Sequence, residues 1–404
     1  MVVVSPRGSE ASYQGLRYHL NPARIAAQRA APRSAMALGL GALRLEALEP
    51  PPLPSEGDWV ALEPVWSGIC GSDLGIITGR SSPYLAPLTQ FPAVLGHEVV
   101  ARRLDTREAV VVDPSLGCRA RGLPLCRACA AQADDGCERR ADAGLGPGLL
   151  LGFHGQLPGG WATRMWAPAA QLIPVPDRLP LRRAVLAEPL AIVLAGLARL
   201  RWEGVGSVLV LGAGTLGLLA TWALVERSQA EVVVQVRHRH QGSMARALGA
   251  HRLVGGGVRE RAVLAGHPLA PPMWGAPALH PWGSDVVVDT VGSPQTMGEA
   301  LALCRPGGQV LVLGALSRPP ADASPLWTRN LTVVGTYGYY AGGVNHLPVA
   351  VARLADAPAL DGLVTHAYQL HEYRLALRSL PHHRDGAIKV VFGIAADGLA
   401  PPAE

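Results

Sequence analysis

Residues 207–225, SVLVLGAGTLGLLATWALV, decide the fold of this 404-residue chain. The run SVLVL has the continuous apolar character of a strand that is buried on both faces. Gly212, Gly214 and Gly217 follow it in the pattern GxGxxG, immediately before an apolar helical segment. At the junction of a strand and a helix, this spacing predicts a dinucleotide-binding turn.

Each glycine of this turn has its own physical reason. The first permits a tight turn, the second lets the backbone approach a pyrophosphate, and the third lets the helix pack on the strand. Phosphate oxygens then meet the unpaired N–H groups of the helix N-terminus, so Thr215 and Leu216 join the predicted cofactor-binding residues. An ordinary glycine turn is the alternative, and the surrounding pattern of strands and helices argues against it.

Strands and helices alternate around this motif. Helices are predicted at AVLAEPLAIVLAGLARL, TLGLLATWALVERSQ, SMARALGA and MGEALALC, and strands at SVLVLG, EVVVQV, DVVVDTVG and QVLVLGA. Apolar strands that alternate with helices predict a doubly wound parallel sheet of the Rossmann type. Residues 41–180 are instead rich in Gly and Pro, with short runs such as AVVVDP, which predicts β structure with long loops. The expected fold class is α/β, with a β-rich domain beside the parallel-sheet domain.

The composition is typical of a well-packed globular protein, with 49% hydrophobic and 17% charged residues. The net charge of +5 comes from scattered arginines, and aromatic residues make up only 5%, so no nucleic-acid partner is expected. Residues 204–225 carry no charge and are long enough for a membrane span, but the glycine turn inside them favours a buried strand and helix. The N-terminus lacks a secretory pattern, and we expect a cytoplasmic protein with no membrane partner.

The strand after the glycine turn bears on the choice of cofactor. In NAD-binding proteins this strand ends in an acid that accepts hydrogen bonds from the ribose. Here EVVVQV ends at Gln235 and Val236, Arg237 and Arg239 follow, and Glu231 lies at the opposite end. Two arginines favour a ribose 2′-phosphate, so NADP(H) is preferred over NAD(H). A solvated basic turn is the alternative.

Two segments carry metal-ligating side chains, Cys70 in SGICGSD and His97 in LGHEVV. Cysteine and histidine from separate loops are good zinc ligands, and a catalytic site needs three protein ligands with one open position. The motifs CGSD, GHE, a cysteine cluster, AEPL, GAGTLG and IKVV occur in this order, and over residues 35–395 the chain resembles the zinc-containing medium-chain dehydrogenase/reductase family. The resemblance implies a GroES-like catalytic domain interrupted by a Rossmann domain, with the active site in the cleft between them.

The resemblance also implies the ligands of a catalytic zinc ion. Cys70 and His97 look like the first two ligands, and Glu98 matches a glutamate that is a direct ligand or an exchanging carboxylate beside the metal. Glu188, in LAEPL, stands where alcohol dehydrogenases of the family have a cysteine and where polyol and sugar dehydrogenases have a glutamate. One thiolate with carboxylates is a harder donor set than two thiolates, and it polarises a bound hydroxyl more strongly.

Three further residues have supporting roles by resemblance. Asp73 is similar to the aspartate that orients the histidine ligand. Ser72 is similar to the hydroxyl that begins a proton relay, and Lys389 to a basic residue that contacts the cofactor pyrophosphate. The relay histidine that many family members carry after CGSD is absent from LGIITGR. The sequence therefore does not identify the next group in the proton relay after Ser72.

A second metal site is predicted at Cys118, Cys126, Cys129 and Cys137. The last three have the C-x2-C-x7-C spacing of the family's structural zinc lobe, whereas seven residues, RARGLPL, separate the first two, where the usual gap is two. Four thiolates in one loop suit a closed tetrahedral site, so we expect a structural zinc ion within residues 117–138. Loss of this metal is the alternative.

The expected domain order follows from these assignments. An N-terminal extension and first strand occupy residues 1–40, the GroES-like domain residues 41–185, the Rossmann domain residues 186–336, and the chain returns to the catalytic domain at 337–404. A Gly- and Pro-rich segment, 255–284, predicts a surface insertion. We also expect a homodimer or a homotetramer.

Together these features predict a zinc- and NAD(P)-dependent dehydrogenase that transfers a hydride to or from an alcohol, polyol or sugar hydroxyl, or the matching carbonyl. A zinc-independent quinone or enoyl reductase of the same superfamily is one alternative, but such proteins lack the Cys70 and His97 pair. A non-catalytic relative is another, favoured only by the missing relay histidine. The glutamate of LAEPL favours polyols or sugars, and the sequence leaves the individual substrate open.

Overall fold

The computed structural model describes residues 12–31, 35–53, 58–131, 136–142, 145–255, 283–316, 318–320, 322–380 and 385–395. The predicted insertion at 255–284 therefore lies almost wholly outside the described residues, as do residues 1–11 of the predicted extension. Within these ranges, no helix combines the length and the apolar character that a bilayer crossing requires.

The regular elements of the described residues are numbered in chain order. The strands are β1 (Tyr13–Tyr18), β2 (Leu43–Leu48), β3 (Trp59–Gly68), β4 (Ala93–Val94), β5 (Val99–Arg103), β6 (Ala109–Val112), β7 (Met165–Pro168), β8 (Leu172–Pro174), β9 (Ser207–Leu211), β10 (Glu231–Gln235), β11 (Arg252–Val254), β12 (Ser284–Asp289), β13 (Cys304–Val312), β14 (Thr332–Gly335), β15 (Tyr340–Ala341), β16 (Val344–Asn345), β17 (Val364–Tyr368) and β18 (Lys389–Gly393). The α-helices are α1 (Pro22–Ala30), α2 (Ala35–Leu40), α3 (Gly71–Ile77), α4 (Arg127–Ala130), α5 (Leu181–Ala184), α6 (Ala187–Ala198), α7 (Thr215–Arg227), α8 (Arg239–Ala247), α9 (Pro294–Leu303), α10 (Ser324–Thr328), α11 (His346–Ala355) and α12 (Tyr373–Ser379).

A six-stranded parallel sheet forms one half of the molecule, in the order β11-β10-β9-β12-β13-β14. The strand order reverses between β9 and β12, which is the switch point at which open α/β sheets bind ligands. The uncharged stretch 204–225 becomes β9 and most of α7, as predicted. The predicted doubly wound sheet is confirmed.

Two separate apolar cores explain why β9 has no polar face. Val208 and Val210 belong to the core that also contains α6 and α7, whereas Leu209 and Leu211 belong to the core beneath α9. Successive side chains of a strand point to opposite faces, so a strand covered by helices on both sides must be apolar throughout. This burial fixes the position of the glycine turn at the end of β9.

A second, mostly antiparallel sheet forms the β-rich half. Its path is β17-β18-β3-β5-β6-β8, with β7 also paired to β3, and a second, smaller sheet has the order β2-β1-β4. The last strand, β18, pairs antiparallel with β3, with Val391 opposite Gly68. The chain therefore leaves this sheet, forms the parallel sheet, and returns to place the start of β18 beside the end of β3.

One predicted helix is divided in the structure. The segment AVLAEPLAIVLAGLARL was predicted as a single helix, but α5 ends at Ala184 and α6 begins at Ala187. Pro189 has no N–H with which to bond the carbonyl of Val185, so a continuous helix would lose this bond, whereas proline fits the first turn of a new helix. The break places Glu188 in the first turn of α6.

Candidate functional site

The glycine turn after β9 has the three local geometries that its pattern predicts. Gly212 has a φ of +94°, which favours glycine. A Cβ on Gly214 would meet no atom within 4 Å, so the backbone there faces open space. A Cβ on Gly217 would lie 1.9 Å from the carbonyl oxygen of Gly212, so only glycine permits this close packing of helix on strand.

The two residues between the second and third glycines present their backbone to the turn. The Thr215 hydroxyl donates to the carbonyl of Ile388 at 3.1 Å, and the Leu216 side chain packs against the core. Both lie in the first turn of α7, where backbone N–H groups have no partner within the helix. These N–H groups are what Thr215 and Leu216 can offer to a phosphate.

The predicted cofactor-selecting residues lie at the same edge of the sheet. Gln235, at the end of β10, is in register with Leu211, at the end of β9. Arg237 and Arg239 follow directly, and both are exposed. Glu231 lies at the opposite end of β10, as its sequence position predicts. The cation-rich segment therefore adjoins the glycine turn.

Cys70, Asp73 and His97 come together at the end of β3. Cys70 precedes the first residue of α3, and its backbone N–H donates to Asp73 Oδ2 at 2.9 Å. Asp73 is fully buried, and its Oδ1 lies 3.5 Å from His97 Nδ1. Burial alone would lower the pKa of His97, but the Asp73 carboxylate and the Cys70 thiol together hold it well above its usual value. This region therefore favours a positive charge.

Glu188 faces the same region from α6. It is 8% exposed, and burial raises its pKa to about 7; the Glu98 carboxylate adds to this rise, and His97 and Lys389 oppose it. In the described part of the chain, the Cys70, His97 and Glu188 ligand atoms are not all within 4.8 Å of one another. The structure thus brings these three predicted ligands into one electrostatic cluster that is wider than a closed metal site.

Lys389 lies at the start of β18, beside the candidate metal ligands. Its side chain is 3% exposed, and its ammonium contacts Glu98 Oε2 and lies 3.3 Å from the carbonyl of Ile69. Lys389 thus forms a buried ion pair with Glu98, and its contact with a cofactor pyrophosphate stays a prediction. Gly68 makes the pair possible, because a Cβ there would lie 1.9 Å from the Glu98 carboxylate. This pairing places Glu98 beside the candidate ligands and makes it a partner of Lys389.

Ser72 is half-buried and lies in the first turn of α3. Gly75 is three residues further on, on the same helix face. The Ser81 hydroxyl lies 3.1 Å from the point that a Cβ on Gly75 would occupy. The Ser81 hydroxyl therefore packs against α3 at Gly75, which the sequence pattern did not indicate.

The four clustered cysteines form a compact buried group. Their sulfur atoms all lie within 4.8 Å of one another, and this is the one such group of three or more ligand residues in the described ranges. The Cys118 and Cys137 sulfurs are 3.7 Å apart, close to the edge of a tetrahedron with Zn–S bonds of about 2.3 Å.

Each sulfur of this cluster also accepts a backbone N–H at 3.4–3.5 Å. Burial would raise the pKa of Cys126, but N–H groups of Cys129 and Glu138 and the neighbouring thiols lower it to about 6. Hydrogen bonds of this kind stabilise the thiolate form, which is the form that binds metal. The residues present thus fit the predicted closed tetrahedral site.

One buried polar group near Glu188 was missed by the sequence analysis. Tyr339 and Tyr340 donate to the two oxygens of Asp113, at 2.8 and 3.1 Å, and the Tyr339 hydroxyl lies 3.1 Å from Ser115 Oγ. Burial raises the pKa of Tyr339 well above its usual value, and the Asp113 and Glu188 carboxylates add to this. The group joins the end of β6 to the segment that follows the parallel sheet. The only sequence signal for this group was the aspartate in AVVVDP, which is Asp113.

Two family models match the chain. Residues 56–177 match a model described as the alcohol dehydrogenase GroES-like domain, and residues 215–356 match one described as a zinc-binding dehydrogenase. The first match confirms that the β-rich half is GroES-like, and the second begins inside the glycine turn.

Curated proteins and solved structures agree with these matches. A zinc-type alcohol dehydrogenase-like protein of Haemophilus influenzae, described as uncharacterized, is 31% identical over 214 residues, which are 50% of this chain and 56% of that protein. D-arabinitol dehydrogenase 1 of Uromyces fabae is 26% identical over 79% of this chain and 86% of its own length. The structure of 2R,3R-butanediol dehydrogenase from Bacillus subtilis has a TM-score of 0.69 at 20% identity, over 95% of this chain and 99% of that one, and so has the same fold.

The GroES-like sheet, the parallel sheet with its glycine turn, and the matches over both halves support one assignment. The chain belongs to the zinc-containing medium-chain dehydrogenase/reductase family.

Proposed function

We propose that this protein is a zinc-dependent dehydrogenase of polyols, sugars or related alcohols that prefers NADP(H). One observation carries the proposal. The hydrogen bond from Thr215 to the carbonyl of Ile388 ties the cofactor-binding helix to the residue before Lys389, which lies among the candidate metal ligands. A cofactor on the glycine turn and a metal beside Cys70 would therefore be close neighbours.

The residues at the first site fit a catalytic zinc ion. His97 Nδ1 and Asp73 Oδ1 are buried without a hydrogen-bond partner and face each other at 3.5 Å. A carboxylate beside Nδ1 orients the ring and leaves Nε2 for a metal. Cys70 and Glu188 would provide a thiolate and a carboxylate, which completes the three protein ligands of a catalytic site.

The chain's own residues would then prepare the site for chemistry. When bound, zinc supplies a Lewis acid for the substrate oxygen and the nicotinamide supplies the hydride acceptor or donor. Asp73 fixes the orientation of His97, and Lys389 offsets the charge of Glu98, so that the negative charge at the site remains limited. By the resemblance, the Ser72 hydroxyl would accept a proton from a substrate hydroxyl and pass its own proton outward.

The ligand set supports the substrate class. Glu188 occupies the position at which, by the family resemblance, polyol and sugar dehydrogenases have a glutamate and alcohol dehydrogenases have a cysteine. The similarity to D-arabinitol dehydrogenase 1, over most of both chains, points in the same direction. We infer a small substrate with adjacent hydroxyl groups, of which one is oxidised.

The cofactor preference is supported by charge. Arg237 and Arg239 are exposed at the edge of the glycine turn, and the ends of β9 and β10 are in register there. A 2′-phosphate at this place would gain charge-assisted hydrogen bonds that a bare ribose does not offer.

A substrate panel tests the proposal. Secondary alcohols, polyols and sugars are offered with NADP+ and with NAD+, and cofactor reduction is followed by absorbance. Turnover is expected for at least one polyol or sugar, and Cys70→Ala or His97→Ala should abolish it while NADPH still binds. Cys304→Ala is the matched control, because this buried cysteine lies in the core beneath α9 and should leave turnover unchanged.

Two results would contradict the proposal. Near-normal turnover in Cys70→Ala or His97→Ala would favour the zinc-independent reductase of the same superfamily. Failure of every substrate in the panel, with NADPH bound at the glycine turn, would favour the non-catalytic relative.

A further inference from the structure

Arg121 lies in the seven-residue segment that separates the first two cysteines of the cluster. The segment, 119–125, is longer than the two-residue gap usual in the family. Arg121 is 4% exposed, although its neighbour Arg119 is exposed. A buried guanidinium in an inserted segment needs a physical reason, because arginine is almost never fully buried unless it is paired.

The guanidinium of Arg121 makes four hydrogen bonds, all to backbone carbonyls. Nε donates to Leu116 at 3.1 Å, and one terminal nitrogen donates to Asp142 and Gly146 at 3.0 and 2.6 Å. The other terminal nitrogen donates to Gly148 at 2.9 Å. These bonds join the segment between the first two cysteines to the backbone at Asp142, Gly146 and Gly148. Carbonyls satisfy the donors but do not neutralise the charge, and no carboxylate of the described residues is hydrogen-bonded to the guanidinium.

The cysteine cluster is a nearby source of negative charge, because the Arg121 backbone N–H donates to the Cys118 carbonyl at 3.1 Å. Burial lowers the pKa of Arg121, and the side chains of Cys137, Asp142 and Cys118 oppose that effect. Four thiolates around a divalent ion carry a net charge of −2. The same buried region therefore contains a cation without a carboxylate bound to it and a site that becomes anionic when it is loaded.

We propose that Arg121 is the buried counter-charge of the metal-loaded cysteine cluster, so that metal binding and the Arg121 contacts stabilise each other. The inference rests on the proposed function, because it requires the cluster to hold a divalent ion. The inserted segment then has a role of its own: it supplies a positioning residue that strengthens metal binding from outside the ligand set.

Cobalt binding tests the proposal with a readout other than activity. All variants carry Cys70→Ala, so the remaining cysteines are the four of the cluster and Cys304. Cys304 lies in another core, where its thiol donates to a backbone carbonyl. Co2+ is titrated into metal-free full-length protein, and the thiolate-to-cobalt absorption band reports the affinity of the cluster. Unfolding temperature is measured with and without the ion.

The variants separate the charge from the hydrogen bonds. Arg121→Gln removes the charge and Arg121→Lys keeps it, while Arg127→Gln makes the same charge change in the same lobe at a side chain that is 93% exposed. Arg121→Gln should weaken cobalt binding roughly tenfold or more, and Arg127→Gln should leave it within about twofold. Arg121→Lys should bind cobalt nearly as the parent does, although its unfolding temperature falls.

The outcomes are distinct. If Arg121 stabilised the fold only through its hydrogen bonds, Arg121→Gln would lower the unfolding temperature equally with and without cobalt. That result would overturn the proposal. If Arg121→Gln does not fold, Arg121→Lys decides the question: weak cobalt binding in that folded variant refutes the counter-charge. If the Cys70→Ala parent gives no thiolate-to-cobalt band, the cluster holds no such metal, and the metal occupancy in the proposed function fails as well.

Discussion

The glycine turn allows a prediction in which the same substitution at two positions affects two different properties, stability and cofactor binding. Gly217→Ala places a methyl group 1.9 Å from the Gly212 carbonyl oxygen, a backbone atom that no rotamer change can move. Overpacking of this kind costs about 1–3 kcal/mol or more, while alanine gains at most about 1 kcal/mol over glycine in a helix. The net result is a loss of about 2 kcal/mol of stability in the cofactor-free protein.

Gly214→Ala should behave differently. Gly214 has φ −81° and ψ −166°, an extended conformation open to any residue, and its Cβ would meet nothing within 4 Å. The cofactor-free protein should keep its stability to within about 0.5 kcal/mol. The methyl group would occupy the space that a pyrophosphate must enter, so the dissociation constant for NADPH should rise roughly tenfold or more, or at least about 1.4 kcal/mol.

Thermal unfolding of the cofactor-free proteins and calorimetric titration with NADPH measure the two effects separately. The reasoning is refuted if Gly214→Ala binds NADPH as tightly as the parent, because the pyrophosphate would then lie elsewhere. It is also refuted if Gly217→Ala unfolds at the parent's temperature, because the close contact of helix and strand would then have no energetic weight.

Two further predictions concern charge. Lys389→Met should destabilise the protein by about 3–5 kcal/mol because it leaves the Glu98 carboxylate buried and unpaired, and adding Glu98→Gln should recover part of that loss. Urea unfolding of the single and double variants measures both effects. If the losses of stability in the two single variants simply add in the double variant, the two side chains are not coupled. Arg237→Ala and Arg239→Ala should each reduce the ratio of kcat/KM for NADPH to kcat/KM for NADH, and Val236→Asp should reverse the preference by repelling the phosphate. A parent enzyme that prefers NADH would show that the two arginines are ordinary surface residues with no role in cofactor choice.

Local patterns predicted the nucleotide-binding half well. After β9, glycine is required where the backbone has a positive φ or a close contact. Both requirements arise from residues that are close together in the sequence, so a short motif can reveal them. Parallel strands buried on two faces must be apolar, so β9, β10, β12 and β13 could be recognised without knowledge of the rest of the chain. The divided helix at Val185 could also have been predicted, because Pro189 removes one backbone donor.

Contacts between distant residues could not be predicted in the same way. Lys389 and Glu98 are 291 positions apart, and a basic residue at the start of an apolar strand indicates only that some anion faces it. Arg121 looked like part of a spacer, because its acceptors are backbone carbonyls, which have no sequence signal. Asp113 and Tyr339 meet only because β18 and the 336–345 segment return to the first half of the molecule.

The requirement for zinc is the central claim, and removing and restoring the metal tests it most directly. Protein depleted with a chelator, and verified to hold less than about one tenth of a zinc ion per chain, is assayed with the best substrate of the panel, because a Lewis acid should contribute several kcal/mol to this reaction. The account predicts a fall in kcat of roughly a hundredfold or more, and recovery when zinc is returned. Full turnover by the depleted protein would contradict it.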